Sequence, residues 1–200
     1  MKVAITGHTS GLGKGLYDHF LNQGHEVFGL SRSNGFDISD NFKQVVDICS
    51  ECDLFINNAY CGDSQSKLIL SLKNKVKKII VCGSSVSKYR DIIDTEYSKN
   101  KKDLSDLCRL ISLHESSPDI LYLDISFMGN DGEEKSKHDT VSINEIIKVV
   151  DFWLENPKVS EVKFSIKLTP HTYNKIKTKS TNEDVLKQLM SKVNYIYEKH

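Results

Sequence analysis

The chain of 200 residues predicts an α/β fold in which helices cover both faces of a doubly wound, mostly parallel sheet, giving three layers. Apolar, β-branched runs at 2–6, 25–30, 54–56, 76–81, 120–125 and 161–166 alternate with stretches of helical period, which is the pattern of repeated strand–helix units. The first run passes through Thr6-Gly7-x-x-x-Gly11-x-Gly13 straight into the apolar spacing of Leu12 and Leu16, so strand, tight turn and helix follow without a gap. The length supports one domain with a full core and is short for two.

Gly7, Gly11 and Gly13 lack a side chain where the chain must turn sharply, and where a pyrophosphate would meet backbone N–H groups at a helix N-terminus. The spacing is neither GxGxxG nor GxxxxGK[ST], since no Ser or Thr follows Lys14. It resembles the turn TGxxxGxG of the short-chain dehydrogenase/reductase family. The resemblance implies a Rossmann-type nicotinamide dinucleotide-binding domain over 1–166, with 167–200 as a C-terminal extension. It implies cofactor contacts from Thr6, Gly7, Thr9, Ser10, Gly11, Leu12 and Gly13.

Gly24 ends the first helix, and 25–30 reads as the second strand, followed by Ser31 and Arg32. An acidic residue there would select NAD, whereas Arg32 resembles the arginine of NADP-using members, so NADP is the expected cofactor and NAD the alternative. Asp37 and Ile38 stand where members of the family place residues near the adenine. The interval from Ser33 to Asp37 is too short for a helix and a strand. Either a strand and helix have been trimmed, or the third strand is a stub around 35–38. Asp40 is the expected cap of a helix over 42–49.

The strand at 54–56 leads into Asn57-Asn58-Ala59-Tyr60, which resembles the family's Asn-Asn-Ala-Gly element with Tyr60 in place of glycine, and implies cofactor contacts from Asn58 and Ala59. A helix over 64–74 and a strand over 76–81 come next. On that helix the family carries an asparagine that holds a lysine-linked water; no residue matches it, and Asn74 is badly placed.

Gly83-Ser84-Ser85 closes the strand, and a helix opening at Tyr97 carries Leu104, Leu107, Cys108 and Ile111 as an apolar stripe. Side chains four apart share a helix face, so Tyr97 and Lys101 present a phenol and an ammonium together. The family places a serine thirteen residues before its tyrosine, which is the position of Ser84, with Ser85 as the fallback. The resemblance then assigns Tyr97 as acid/base, Lys101 as the cation that favours its phenolate and binds a ribose hydroxyl, and Ser84 as hydrogen-bond donor to the substrate oxygen.

Beyond the strand at 120–125 the chain departs from the family: Phe127 and Met128 replace a Pro-Gly region, and 130–140 is a short charged loop. Phe127 and Met128 either floor the nicotinamide pocket or pack in the core. A helix from 141 or 142 through Leu154 and a last strand over 161–166 follow, and 182–197 has helical period. Leu104, Leu107, Ile146, Val150 and Trp153 are apolar enough to core an interface through the helices at 97–114 and 143–154, so a homodimer or larger homo-oligomer is expected.

With 27 basic and 27 acidic residues, the charge balance calls for neither nucleic acid nor an anionic membrane as partner. Five cysteines without a completed ligand set read as structural thiols, seven scattered histidines suggest no metal, and a reducing, cytoplasmic setting fits best. The expected function is an NADP(H)-dependent oxidoreductase acting on a small carbonyl or alcohol. The alternative is a dinucleotide-binding sensor or scaffold of the same fold, favoured by the missing asparagine.

Overall fold

The computed structural model describes residues 1–89, 94–114, 118–126, 128 and 141–164. Among the described residues six strands form one sheet: β1 (Lys2–Thr6), β2 (Glu26–Leu30), β3 (Leu54–Asn57), β4 (Lys78–Cys82), β5 (Asp119–Ile125) and β6 (Glu161–Phe164). Their spatial order is β2-β1-β3-β4-β5-β6, and every neighbouring pair is parallel. Parallel strands need crossovers, and these are the helices α1 (Gly11–Asn22), α2 (Phe42–Ser50), α3 (Ser64–Leu72), α4 (Glu96–Ser112) and α5 (Ile143–Glu155).

The inner strands β1, β3, β4 and β5 are buried on both faces, which is why they read as near-continuous apolar runs. Alternate residues feed two cores. Val3, Ile5, Leu54, Ile56, Ile80, Leu121 and Leu123 meet Leu12, Leu16 and Phe20 of α1 and Ile143, Ile146, Val150 and Trp153 of α5. Ala4, Phe55, Ile79, Val81 and Tyr122 meet the buried faces of α2, α3 and α4 on the other side. This is the three-layer, doubly wound Rossmann architecture, and the sheet is parallel throughout the described strands.

Three expectations change. No strand stub lies at 35–38. A 3-10 turn at Arg32–Asn34, closed by Gly35 at φ +84°, leads through turns to α2, so the outer strand has been trimmed and β2 is an edge strand. The cap of α2 is Asn41 rather than Asp40, and its side chain makes no capping hydrogen bond. Leu104, Ile146, Val150 and Trp153 are all buried within the chain, so they do not core an interface, while Leu107 is half-buried; Leu110 on α4 and Leu113 just past its end stand in solvent. The helix expected at 182–197 and the 167–200 extension lie outside the described residues, as do Phe127 and the loop at 130–140.

Candidate functional site

The strand order reverses at β1, whose neighbours β2 and β3 lead their crossovers away in opposite directions, and a crevice opens at the carboxyl ends of the strands there. It holds a cleft of about 770 Å³ running from the turn after β2 to the N-terminal part of α4.

Its first wall is the glycine turn. Gly7 sits at φ +72° and donates its N–H to Leu30 O at 2.7 Å, bending the chain from β1 across the end of β2. A Cβ on Gly13 would stand 2.1 Å from Gly7 O and 2.6 Å from Asn58 Nδ2, so only glycine lets α1 start this close to the turn. The turn is tied to the Asn-Asn-Ala element. Thr6 Oγ1 accepts the N–H groups of Asn58 at 3.0 Å and Ala59 at 3.1 Å, and Asn58 Nδ2 donates to Thr6 O and Gly7 O. Gly7, Thr9, Ser10, Leu12, Asn58 and Ala59 line the cleft; Thr6, Gly11 and Gly13 do not, and shape the turn from behind or outside. The glycines leave backbone N–H groups at the start of α1 with no side chain over them, a cradle suited to a diphosphate.

At the far end of this wall, Ser31, Arg32, Asp37 and Ile38 line the cleft. Ser31 N–H donates to Asn34 Oδ1 at 2.9 Å, and Asn34 Nδ2 donates to Gly29 O at 2.8 Å, which fixes the 3-10 turn against β2. Asp37 accepts the N–H and hydroxyl of Ser39 at 2.8 and 2.6 Å. Those bonds, aided by the charge of Arg32, hold its carboxyl below the usual range. Arg32 is exposed and makes no ion pair among the described residues.

The opposite end is built from side chains. Ser84, Tyr97 and Lys101 all line the cleft. Tyr97 is 39 % exposed and its ring meets that of Tyr60 edge-on at 4.8 Å. Tyr60 is 42 % exposed, and its hydroxyl accepts from Asn100 Nδ2 at 3.3 Å. Lys101 is only 3 % exposed, and its Nζ stands 5.4 and 5.7 Å from the ring centres of Tyr60 and Tyr97. That ammonium donates to Gln65 Oε1 at 2.6 Å and to Cys82 O at 3.1 Å, and burial lowers its pKa to about 8. Two of its three donors are therefore committed below the cleft.

Beneath Ser84 the support is tight. A Cβ on Gly83 would meet the Tyr122 ring at 2.2 Å, and burial raises the Tyr122 phenol to about 12. Lys88 reaches from the same segment to the fully buried Asp124 of β5 and to Glu161 of β6. Cys49, Cys52, Cys82 and Cys108 are buried free thiols, each with its pKa raised by desolvation, while Cys61 is exposed at the cleft. Among the described residues no group of three or more His, Cys, Asp or Glu could hold a metal ion, and no helix is long and apolar enough to cross a membrane.

Sequence reasoning missed Gln65 and gave Tyr60 no role. Gln65 occupies the stripe of Leu68, Ile69 and Leu72, the buried face of α3, and a polar residue on such a stripe was the available signal. Asn74 is exposed in the turn after α3, and Met128 is half-exposed at the cleft, where it bridges Val141.

No protein-family model and no curated protein matches the chain. Solved structures do. The bulky-bulky ketone specific alcohol dehydrogenase from Comamonas testosteroni is similar at a TM-score of 0.65 and 13 % identity, covering 88 % of this chain and 90 % of that one. An alcohol dehydrogenase from the archaeon Thermococcus sibiricus, complexed with 5-hydroxy-NADP, is similar at 0.62 and 17 %, covering 84 % and 98 %. A UDP-N-acetylglucosamine 4-epimerase from Bacillus cereus is similar at 0.60 and 16 %, covering 89 % and 84 %. At these identities the likeness carries the fold.

Proposed function

We propose that this protein is an NADP(H)-dependent oxidoreductase that interconverts a small carbonyl compound and its alcohol, with Tyr97 as acid/base. The observation that carries the reading is one cleft lined at one end by the glycine turn and at the other by Ser84, Tyr97 and Lys101. The similar structures include two named alcohol dehydrogenases, which supports the same direction.

The bound nicotinamide supplies or takes up the hydride. The chain's own residues do the rest. The backbone N–H groups at the start of α1 would hold the diphosphate, and Arg32 would pair with a 2′-phosphate. Ser84 Oγ donates a hydrogen bond to the substrate oxygen and fixes its orientation. In reduction the Tyr97 hydroxyl gives its proton to that oxygen as charge develops there, and in oxidation the phenolate takes it back. The Lys101 ammonium lies 5.7 Å from the centre of the Tyr97 ring, on the same side of the cleft.

A second reading, a dinucleotide-binding sensor with little turnover, draws on the commitment of Lys101 to Gln65 and Cys82 O. A panel of aldehydes, ketones and alcohols, followed by the absorbance of the reduced nicotinamide, separates the two. NADPH oxidation with any carbonyl on the panel, removed in Ser84→Ala with cofactor affinity retained, supports the enzyme. Tight NADPH binding with no hydride transfer even in a single turnover supports the sensor.

A further inference from the structure

Gln65 is 2 % exposed on the apolar face of α3. Burying a primary amide is costly unless each of its polar groups finds a partner. Here each does. Nε2 donates to Asn57 O at 2.9 Å and, at 3.4 Å, to Cys82 O; Oε1 accepts the Lys101 ammonium at 2.6 Å; and the backbone carbonyl accepts Asn57 Nδ2 at 2.9 Å. One side chain thus ties the ends of β3 and β4 to the lysine of α4. Lys101 makes no ion pair among the described residues, so its buried charge is compensated by hydrogen bonds to Gln65 Oε1 and Cys82 O and by the nearby rings of Tyr60 and Tyr97.

We propose that Gln65 is the positioning residue of the site: its amide oxygen fixes the Lys101 ammonium at the cleft floor and holds it in its charged form, by direct contact rather than through water. A charge-assisted hydrogen bond to a fixed acceptor stabilises the ammonium over the neutral amine. The other titratable groups facing Lys101 are Tyr60 from the turn after β3, Tyr97 from its own helix, and the Cys82 thiol from β4, which burial raises to about 12. At an ammonium this buried, the gain or loss of one fixed acceptor shifts the proton equilibrium. The catalytic meaning of this role rests on the oxidoreductase reading, but the role itself does not.

The test is the titration of Lys101 in the full chain, followed by ¹³Cε NMR of labelled lysine and assigned by the signal lost in Lys101→Arg. Gln65→Met keeps the volume and removes the acceptor, and its midpoint should fall by about one pH unit, a tenfold change in the proton equilibrium. Gln65→Glu keeps an acceptor and adds a charge, and its midpoint should rise. Circular dichroism confirms that each variant is folded. Should Gln65→Met fail to fold, the direction in Gln65→Glu decides alone. Midpoints equal to wild type in the folded variants overturn the proposal and leave Gln65 as a structural tie. The pH at which alcohol oxidation sets in provides the catalytic arm. A Lys101 midpoint that moves while Tyr97→Phe retains full turnover would sink the reaction assignment and leave the role of Gln65 standing.

Discussion

The two ends of the cleft are made by different means. At the glycine turn the working groups are backbone N–H groups, exposed because Gly7 and Gly13 have no side chains and held in place by Thr6 and Asn58. At the α4 end they are side chains, supported by buried polar side chains: Gln65 under Lys101, Tyr122 under Gly83, and beside them Asp124, paired with the exposed Lys88. A backbone site is insensitive to side-chain chemistry and intolerant of added volume. A site of buried side chains is the reverse: it accepts small changes of shape, while its protonation states answer to each neighbour.

The largest effect should come at the side-chain end. Tyr97→Phe keeps the ring against Tyr60 and removes the proton, so turnover on the best substrate should fall by a factor on the order of 10² to 10⁴ with NADPH affinity nearly unchanged. Stopped-flow hydride transfer beside a separate cofactor titration reads both quantities, and a wild-type rate would break the comparison at its centre.

Charge sensitivity sharpens it next. The pKa of Lys101 is about 8 in the folded chain against an ordinary 10.5, so between those values the unfolded chain holds a proton that the folded chain has released. Stability should therefore rise with pH across this window, by at most about 3 kcal/mol, and Lys101→Met should lack that rise. Urea midpoints of the two proteins at several pH values give the difference, from which the contributions of Cys49, Cys52, Cys108 and Tyr122 cancel.

Volume sensitivity is the matching test at the backbone end. In Gly13→Ala the new methyl meets the Gly7 carbonyl, which cannot rotate away, so the chain should lose about 1–3 kcal/mol and bind NADPH more weakly. Denaturant midpoints and calorimetric titration measure the two parts. An alanine accepted with unchanged stability would mean that the turn is not rigid, and the contrast between the two ends would fade. The smallest effect belongs to Arg32, an exposed side chain on a backbone-built wall: Arg32→Ala should lower the preference for NADPH over NADH by about tenfold. An unchanged preference would remove the specificity argument alone.

The same contrast explains what could be read from the sequence. Gly7, Gly11 and Gly13 are legible because a backbone that turns this tightly can use only glycine at Gly7 and Gly13, and the residue type announces the geometry. The α4 triplet was legible as spacing, from Tyr97 to Lys101 along one helix face and from Ser84 by resemblance. Its supports were not, because Gln65 meets Lys101 across 36 residues and no local pattern encodes that encounter. The choice of residues for an interface core went astray for a related reason. The stripe of Ile146, Val150 and Trp153 says that a surface covers it, and the covering surface is the sheet of its own chain. The interval after Ser33 signalled a missing strand correctly by its length, though the local residues could not distinguish a stub from a turn.

The strand order carries a consequence for how the molecule is made. β1 is translated first and lies inside the sheet; β2 then pairs on one side of it and β3 on the other, and after that β4, β5 and β6 each pair with the strand translated just before. No strand has to wait for a later one to supply its first partner after β1 and β2 have met. The sheet can grow outward in the order of synthesis, with one edge closed early at β2 and the other advancing as chain emerges. Topology thus allows the glycine turn to assemble against β3 before α4 emerges, so that Lys101 would meet a floor whose Gln65 and Cys82 acceptors are already in place.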